Sequence, residues 1–212
     1  MSTILCFGDS LTWGYNPETN ERFQYKERWT SLLEEKLKMN NKEYIVITEG
    51  LCGRTTIFPD PFLKDRESVV PLKLALESHD PDIVILMLGT NDLKSYVNGN
   101  PKEIALGCLK LIQIIKEHKS LSKKDPIGII LVIPPKIGEF ISDAMINFFF
   151  DICHSSKDLA THYKNIAKLS CIKVINTNDF INLNSNNTDG IHLNKEQNVL
   201  LANRLYNEIN KF

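Results

Sequence analysis

Five short apolar runs, each separated from the next by a longer segment with helical spacing, limit what this chain can become. The runs cover residues 4–7, 44–48, 83–88, 127–133 and 171–175. Short, nearly continuous hydrophobicity is the pattern of strands buried on both faces. Between the runs, apolar residues recur at three- and four-residue intervals. They are Trp29, Leu32, Leu33 and Leu37; then Ile104, Leu111, Ile112 and Ile115; then Leu159, Tyr163, Ile166 and Leu169; then Val199, Ala202, Leu205 and Ile209. Asn100-Pro101-Lys102-Glu103 has the form of a helix start, with a polar cap, proline at the first position and glutamate three residues after the cap. Asn194-Lys195-Glu196-Gln197 repeats that logic. Strands alternating with helices predict a parallel sheet covered by helices on both faces. A length of 212 residues suits one such domain, read here as residues 1–212. No repeat, linker or low-complexity segment divides it.

Charge and cysteine usage exclude several classes of function. The formal net charge is −1, and no basic stripe is present, so nucleic acid is not an expected partner. The pair Lys123-Lys124 reads as solvated surface. No apolar run reaches the ~18 residues of a membrane span. The first residues hold no basic segment and no signal-length apolar segment, and they lead directly into the first run. The five cysteines include no Cys-x-x-Cys spacing. Cys6, Cys108 and Cys171 fall in apolar runs and read as small core residues. A disulfide framework is therefore not expected, and a cytoplasmic location fits. No His-Glu-x-x-His motif or paired ligand spacing calls for a metal, and no cofactor is expected. His79-Asp80-Pro81-Asp82 reads as a turn, His118 as a helix end, and His154 and His162 as helical; Cys153-His154 are merely neighbours in sequence.

Three polar turns carry reactive side chains. Phe7-Gly8-Asp9-Ser10-Leu11-Thr12-Trp13-Gly14 delivers Ser10 at the end of the first apolar run, where open α/β sheets bind ligands. Gly89-Thr90-Asn91-Asp92 ends the third run, and Asp189-Gly190-Ile191-His192 precedes the last helical segment. Taken singly, each is an ordinary turn or cap: Gly, Asp, Ser and Asn are common turn formers. Taken together they supply a hydroxyl, an imidazole and a carboxylate. A serine hydroxyl needs a base, and His192 is the natural candidate. Asp189, three residues before it on a loop, can set its tautomer and stabilise the imidazolium. The irregular stretches 16–27 and 58–62 are expected over the carboxyl ends of the strands, beside Ser10.

These residues resemble the SGNH (GDSL) hydrolases. The serine block matches Gly8-Asp9-Ser10-Leu11. The glycine block looks like Glu49-Gly50-Leu51-Cys52-Gly53-Arg54-Thr55-Thr56, the asparagine block matches Gly89-Thr90-Asn91-Asp92, and the histidine block matches Asp189-Gly190-Ile191-His192. The four blocks occur in order and span nearly the whole chain. Within the family the chain looks most like the arylesterase/acyltransferase branch, through Ser10-Leu11-Thr12-Trp13-Gly14-Tyr15, Arg28-Trp29-Thr30 and Met87-Leu88-Gly89-Thr90-Asn91-Asp92.

The resemblance implies a flavodoxin-like three-layer α/β/α sandwich with a five-stranded parallel sheet. It implies Ser10, Asp189 and His192 as the catalytic set. It implies an oxyanion hole made by the backbone N–H groups of Ser10 and Gly53 and the side-chain amide of Asn91. Asp9, Leu11, Trp13, Cys52 and Ile191 are expected to border the substrate, with Trp13 serving equally well as a core anchor. Asp9 and Asp92 also read as structural acids that bond loop backbone. Cys52 stands where a small polar residue is common in the family. The stretch 137–154, with Phe148-Phe149-Phe150, holds no catalytic block; its aromatics suit core, pocket wall or subunit contact.

The implied activity is a serine acylhydrolase acting on small carboxylic esters through an acyl-enzyme. Short-chain or aryl esters lead, and transfer of the acyl group to alcohols is a further outcome. Carbohydrate acetylesterase and lysophospholipase or thioesterase activity are alternatives within the family. Self-association into a homo-oligomer is compatible, since that branch often forms oligomers. Outside the family, an α/β-hydrolase would need glycine where Thr12 stands. A non-catalytic flavodoxin-like binding module would need neither Asp189 nor His192. A degenerate member kept for protein interaction would not need all four blocks.

Overall fold

The computed structural model describes residues 2–40, 43–118, 126–139, 142–149 and 155–211. Lys123, Lys124, Phe150, Cys153 and His154 lie outside the described residues. In chain order the elements are β1 (Ser2–Gly8), α1 (Ser10–Trp13), β2 (Tyr15–Asn16), β3 (Glu21–Arg22), α2 (Trp29–Met39), β4 (Tyr44–Gly50), α3 (Val69–His79), β5 (Ile83–Met87), α4 (Pro101–Glu117), β6 (Gly128–Ile133), α5 (Asp143–Phe149), α6 (Ser155–Leu169), β7 (Lys173–Asn176) and α7 (Lys195–Ile209). Five strands form one parallel sheet in the order β4-β1-β5-β6-β7; β2 and β3 form a separate antiparallel hairpin.

Side-chain alternation along the strands builds a core on each face of the sheet. Leu5 and Phe7, Val84 and Leu86, and Ile129, Leu131 and Ile133 point to the layer formed by α3, α4 and α6. Ile4 and Cys6, Ile83, Ile85 and Met87, and Ile130 and Val132 point to α2 and α7. Strands flanked this way need apolar residues at every position, which is why the central runs read as continuous.

The edge strands depart from that expectation. β4 is only half-buried along most of its length, and Val174 of β7 is exposed, because each has a single neighbouring strand. β7 covers Lys173–Asn176 rather than 171–175. Cys171 is an exposed residue at positive φ in the turn before it, not a core thiol. Cys6 and Cys108 are buried as expected. Leu169 closes α6 in solvent, and Val199 sits on the outer side of α7, where Asn198 and Leu201 take the inward positions.

The caps form as the sequence implies. The Asn100 side chain accepts from the N–H groups of Lys102 and Glu103, with Pro101 in the first turn of α4. Asn194 and Gln197 cap α7 reciprocally. β1 pairs with β4 on one side and β5 on the other, so the chain leaves it in both lateral directions. That reversal opens a crevice at the carboxyl end of β1, the place where such sheets take ligands. Among the described residues, no helix is long and apolar enough to cross a membrane.

Candidate active site

The crevice is occupied by the three polar turns. At the end of β1 the chain turns sharply into α1. A Cβ on Gly8 would lie 2.1 Å from Thr12 Oγ1 and 2.6 Å from the carbonyl oxygen of Met87, so only glycine fits this corner. Asp9 caps α1 by accepting from Leu11 N–H at 2.9 Å. Ser10 is the first residue of α1, and its N–H has no partner among the described residues.

Ser10, His192 and Asp189 meet in one chain of hydrogen bonds. His192 Nε2 lies 2.9 Å from Ser10 Oγ, and His192 Nδ1 lies 2.7 Å from Asp189 Oδ2. The other Asp189 oxygen accepts from the backbone N–H groups of Ile191 at 2.9 Å and His192 at 2.7 Å. One carboxylate therefore folds the loop and aligns the ring. Burial alone would raise the Asp189 carboxyl, but the bonds from His192 and Ile191 outweigh it and hold the group below its ordinary value. All three side chains are nearly enclosed, with Ser10 7% and His192 5% exposed.

Gly53 and Asn91 approach the same crevice from either side of β1. The segment after β4 makes a tight turn closed by Arg54 N–H on the Leu51 carbonyl at 3.0 Å. Gly53 is its third residue, at φ +82°, a conformation that favours glycine. Its N–H has no partner among the described residues. Asn91, just past β5, donates one Nδ2 hydrogen to the Arg54 carbonyl at 3.1 Å. An amide nitrogen carries two hydrogens, so one remains for a ligand. The free donors of Ser10, Gly53 and Asn91 suit an anionic oxygen.

The residues expected to border the substrate divide. Trp13 and Cys52 are half-buried and stay at the surface of the crevice. Asp9, Leu11 and Ile191 are turned inward and nearly solvent-free. Leu11 packs in the α2/α7 core and Ile191 in the opposite one, because a one-turn helix and a tight loop aim those positions at the sheet. Asp9 is a structural acid: burial pushes its carboxyl up to about 7, and its Oδ2 has no partner among the described residues. Asp92 likewise bonds loop backbone, accepting from Thr56 N–H and from Thr56 Oγ1 at 2.5 Å, with burial raising its carboxyl to about 6. Burial and the nearby Asp9 push the Cys52 thiol up to about 11, so it stays protonated at neutral pH.

Several participants are given no role by the motifs. Tyr15 lies against the His192 ring. Arg54 is a buried cation, and Lys94 forms a buried ion pair with Asp60. Leu63 and Arg66, from the loop after the glycine block, crowd Gly53: a Cβ there would lie 2.9 Å from Leu63 Cδ1 and 3.4 Å from Arg66 Nε. The other described histidines stay outside the site. His79 ends α3 and meets Glu49 at 3.3 Å, His118 follows α4, and His162 lies within α6. No group of three or more acids, cysteines and histidines among the described residues is placed to hold a metal.

Comparison with known proteins identifies the family and the fold. The GDSL-like lipase/acylhydrolase family profile matches residues 6–198. An arylesterase from Vibrio mimicus is 29% identical over 150 residues, 70% of this chain; the match spans 62% of that arylesterase's length. A crystal structure of a carbohydrate acetylesterase from Sinorhizobium meliloti superposes with a TM-score of 0.90 at 33% identity, covering 100% of this chain and 99% of that one. The native aryl esterase of M. smegmatis gives a TM-score of 0.90 at 31% identity, covering 100% and 99%.

Proposed function

The chain belongs to the GDSL-like lipase/acylhydrolase family, and on that premise we propose that it is a carboxylic ester hydrolase with Ser10 as nucleophile. The observation that carries this reading is the 2.9 Å contact between Ser10 Oγ and His192 Nε2, with Asp189 behind the ring. His192 takes the hydroxyl proton as Ser10 Oγ bonds to the ester carbonyl carbon. The carbonyl oxygen becomes an oxyanion facing the donors of Ser10, Gly53 and Asn91. As the tetrahedral intermediate collapses, the ester C–O bond breaks and His192 returns its proton to the departing alcohol. Water then attacks the acyl-enzyme, giving its proton to His192, and the carboxylic acid leaves with Ser10 restored. Asp189 holds the ring tautomer and stabilises the imidazolium at both stages.

The substrate class we favour is an ester with a short acyl group, carried on an aryl or alkyl alcohol. A short acyl group is favoured because Ser10 is nearly enclosed and Leu63 stands close to Gly53. Acetylated carbohydrate is the second reading, favoured by the likeness to the Sinorhizobium meliloti acetylesterase. The same enclosure supports partial transfer of the acyl group to an alcohol in place of water. A non-catalytic binding module would have no use for the aligned Ser10, His192 and Asp189. The described cysteines Cys6, Cys52, Cys108 and Cys171 are free thiols, which fits work in the reducing cytoplasm.

The test is turnover of p-nitrophenyl acetate, butyrate and octanoate by the wild type and by Ser10→Ala. The expected result is acetate turnover well above octanoate, lost by several orders of magnitude in the variant. Equal activity in the two proteins would overturn the assignment of the nucleophile.

A further inference from the structure

Arg54 is one of the few cations this fold encloses, and among the described residues no carboxylate lies within ion-pair distance of it, although Glu49 and Asp9 act on it through space. It is 5% exposed. Its Nη1 donates to the carbonyl of Gly8 at 3.0 Å and to that of Glu49. Its guanidinium carbon lies 4.2 Å from the centre of the Phe7 ring, and its Nε has no partner. Enclosing a charge on these terms is costly, and burial pushes the guanidinium below its ordinary value. A core with no other demand on it would be better served by an apolar side chain of similar volume.

The contacts of Arg54 indicate that demand. Gly8 ends β1 two residues before Ser10, and its carbonyl accepts both Arg54 Nη1 and the N–H of Leu51 at 3.1 Å. Glu49 lies near the end of β4, which leads into the turn holding Gly53. The carbonyl of Arg54 itself accepts the Asn91 amide. The Ser10, Gly53 and Asn91 donors come from three separate segments, after β1, β4 and β5. Arg54 touches all three segments.

We propose that Arg54 is the positioning residue of the oxyanion site: its guanidinium ties the ends of β1 and β4 together, and its carbonyl thereby holds the Asn91 amide with one hydrogen free for the substrate oxygen. Arg54 touches no reacting atom in this role; its effect on the substrate oxygen is exerted through the Asn91 amide. The inference rests on the ester-hydrolase reading and assigns part of its machinery.

The experiment is a double-mutant cycle on p-nitrophenyl acetate with the full chain, using Arg54→Met, Asn91→Ala and both together, with Arg54→Lys as a second variant. Thermal unfolding of each confirms the folded state. Loss of one oxyanion donor typically lowers turnover by about 10²–10³-fold. The expected result is a fall in kcat of about 10²-fold for Arg54→Met, with KM nearly unchanged, and a double variant no slower than Asn91→Ala alone. Arg54→Lys, which keeps the charge and can reach one carbonyl, falls between. A multiplicative loss in the double variant, or wild-type kcat in Arg54→Met, overturns the proposal. So does failure of both Arg54 variants to fold, since the residue would then serve the fold first. Ser10→Ala in the same assay separates the two ideas: unimpaired turnover there defeats the assignment of Ser10 as nucleophile, on which the oxyanion site rests, whereas a silenced Ser10→Ala with a multiplicative cycle defeats only the role of Arg54.

Discussion

Tyr15 and His192 lie ring against ring in a tilted stack, their ring centroids 4.1 Å apart and their planes inclined by 34°. Tyr15 begins the β2–β3 hairpin, and its hydroxyl donates to Asn20 Oδ1 at 3.0 Å, away from the imidazole. The aromatic face therefore steadies the base, and the hydroxyl steadies the hairpin. Tyr15→Phe should keep kcat within about 3-fold of wild type, while Tyr15→Ala should lower it by about 10-fold or more, because small misplacements of a catalytic group are costly. Steady-state kinetics on p-nitrophenyl acetate decide this; equal losses in the two variants would assign the effect to the hydroxyl.

Asp189 ties the acid limb of stability to the site. Its carboxyl is held below its ordinary value in the folded chain, so the folded state binds fewer protons than the unfolded one as acid is added. Its contribution is complete above the ordinary carboxylate value and disappears as pH falls through the lowered folded value. Thermal unfolding of wild type and Asp189→Asn from pH 7 to pH 3 should show a gap that closes toward the acid end. Turnover by the variant at pH 7 should fall by about 10⁴-fold, through loss of the ring tautomer.

Asp9 and Asp92 act with the opposite sign. Burial raises their carboxyls to about 7 and about 6, so each keeps its proton in the folded chain at a pH where the unfolded chain has lost it. Stability from these groups falls as pH rises from 3.8 toward those values and then levels off. Asp9→Asn resembles the protonated acid and lacks the penalty. Relative to wild type, its melting temperature should climb between pH 5 and pH 8; a constant difference across that range would show that Asp9 is charged throughout.

Lys94 and Asp60 form a buried pair, Nζ to Oδ2 3.4 Å, with the rings of Tyr96, Phe148 and Phe149 between 5.6 and 5.8 Å from the ammonium. The Asp60 carboxylate also caps the N–H groups of Phe62 and Leu63, in the loop that crowds Gly53. Lys94→Met strands a buried carboxylate and should cost about 3–5 kcal/mol in denaturant unfolding. Adding Asp60→Asn should recover part of that loss. A smaller cost in the single variant than in the double would contradict the pairing.

What could be read directly from the chain follows from how local the cause is. The central strands were legible because burial on both faces demands apolar residues at every position, and the Asn100 and Asn194 caps because capping acts over three or four residues. Ser10, Asn91, Asp189 and His192 were legible as polar residues in turns next to apolar runs. Gly53 needed the family pattern, since one glycine in a turn looks like another. The structural roles of Tyr15, Arg54 and the Lys94–Asp60 pair were not legible, because each is defined by a partner distant in sequence. Arg54 and Lys94 also have side chains that normally mark a solvated surface. The sequence points Cys171 and Leu169 inward wrongly, because hydrophobicity at the edge of an element says little about which way its last residue faces, and it points Val199 inward wrongly, because the polar Asn198 takes the buried position instead.

The 182 positions between Ser10 and His192 have a consequence during synthesis. Ser10, just after β1, is synthesised well before its base. At typical rates of about 5–20 residues per second, some 10–40 s separate them. Through that interval Ser10 lacks the imidazole that activates it in the folded chain. Ser10 gains its base only when the loop of His192 docks against the end of β1, so ester turnover would report that long-range docking step.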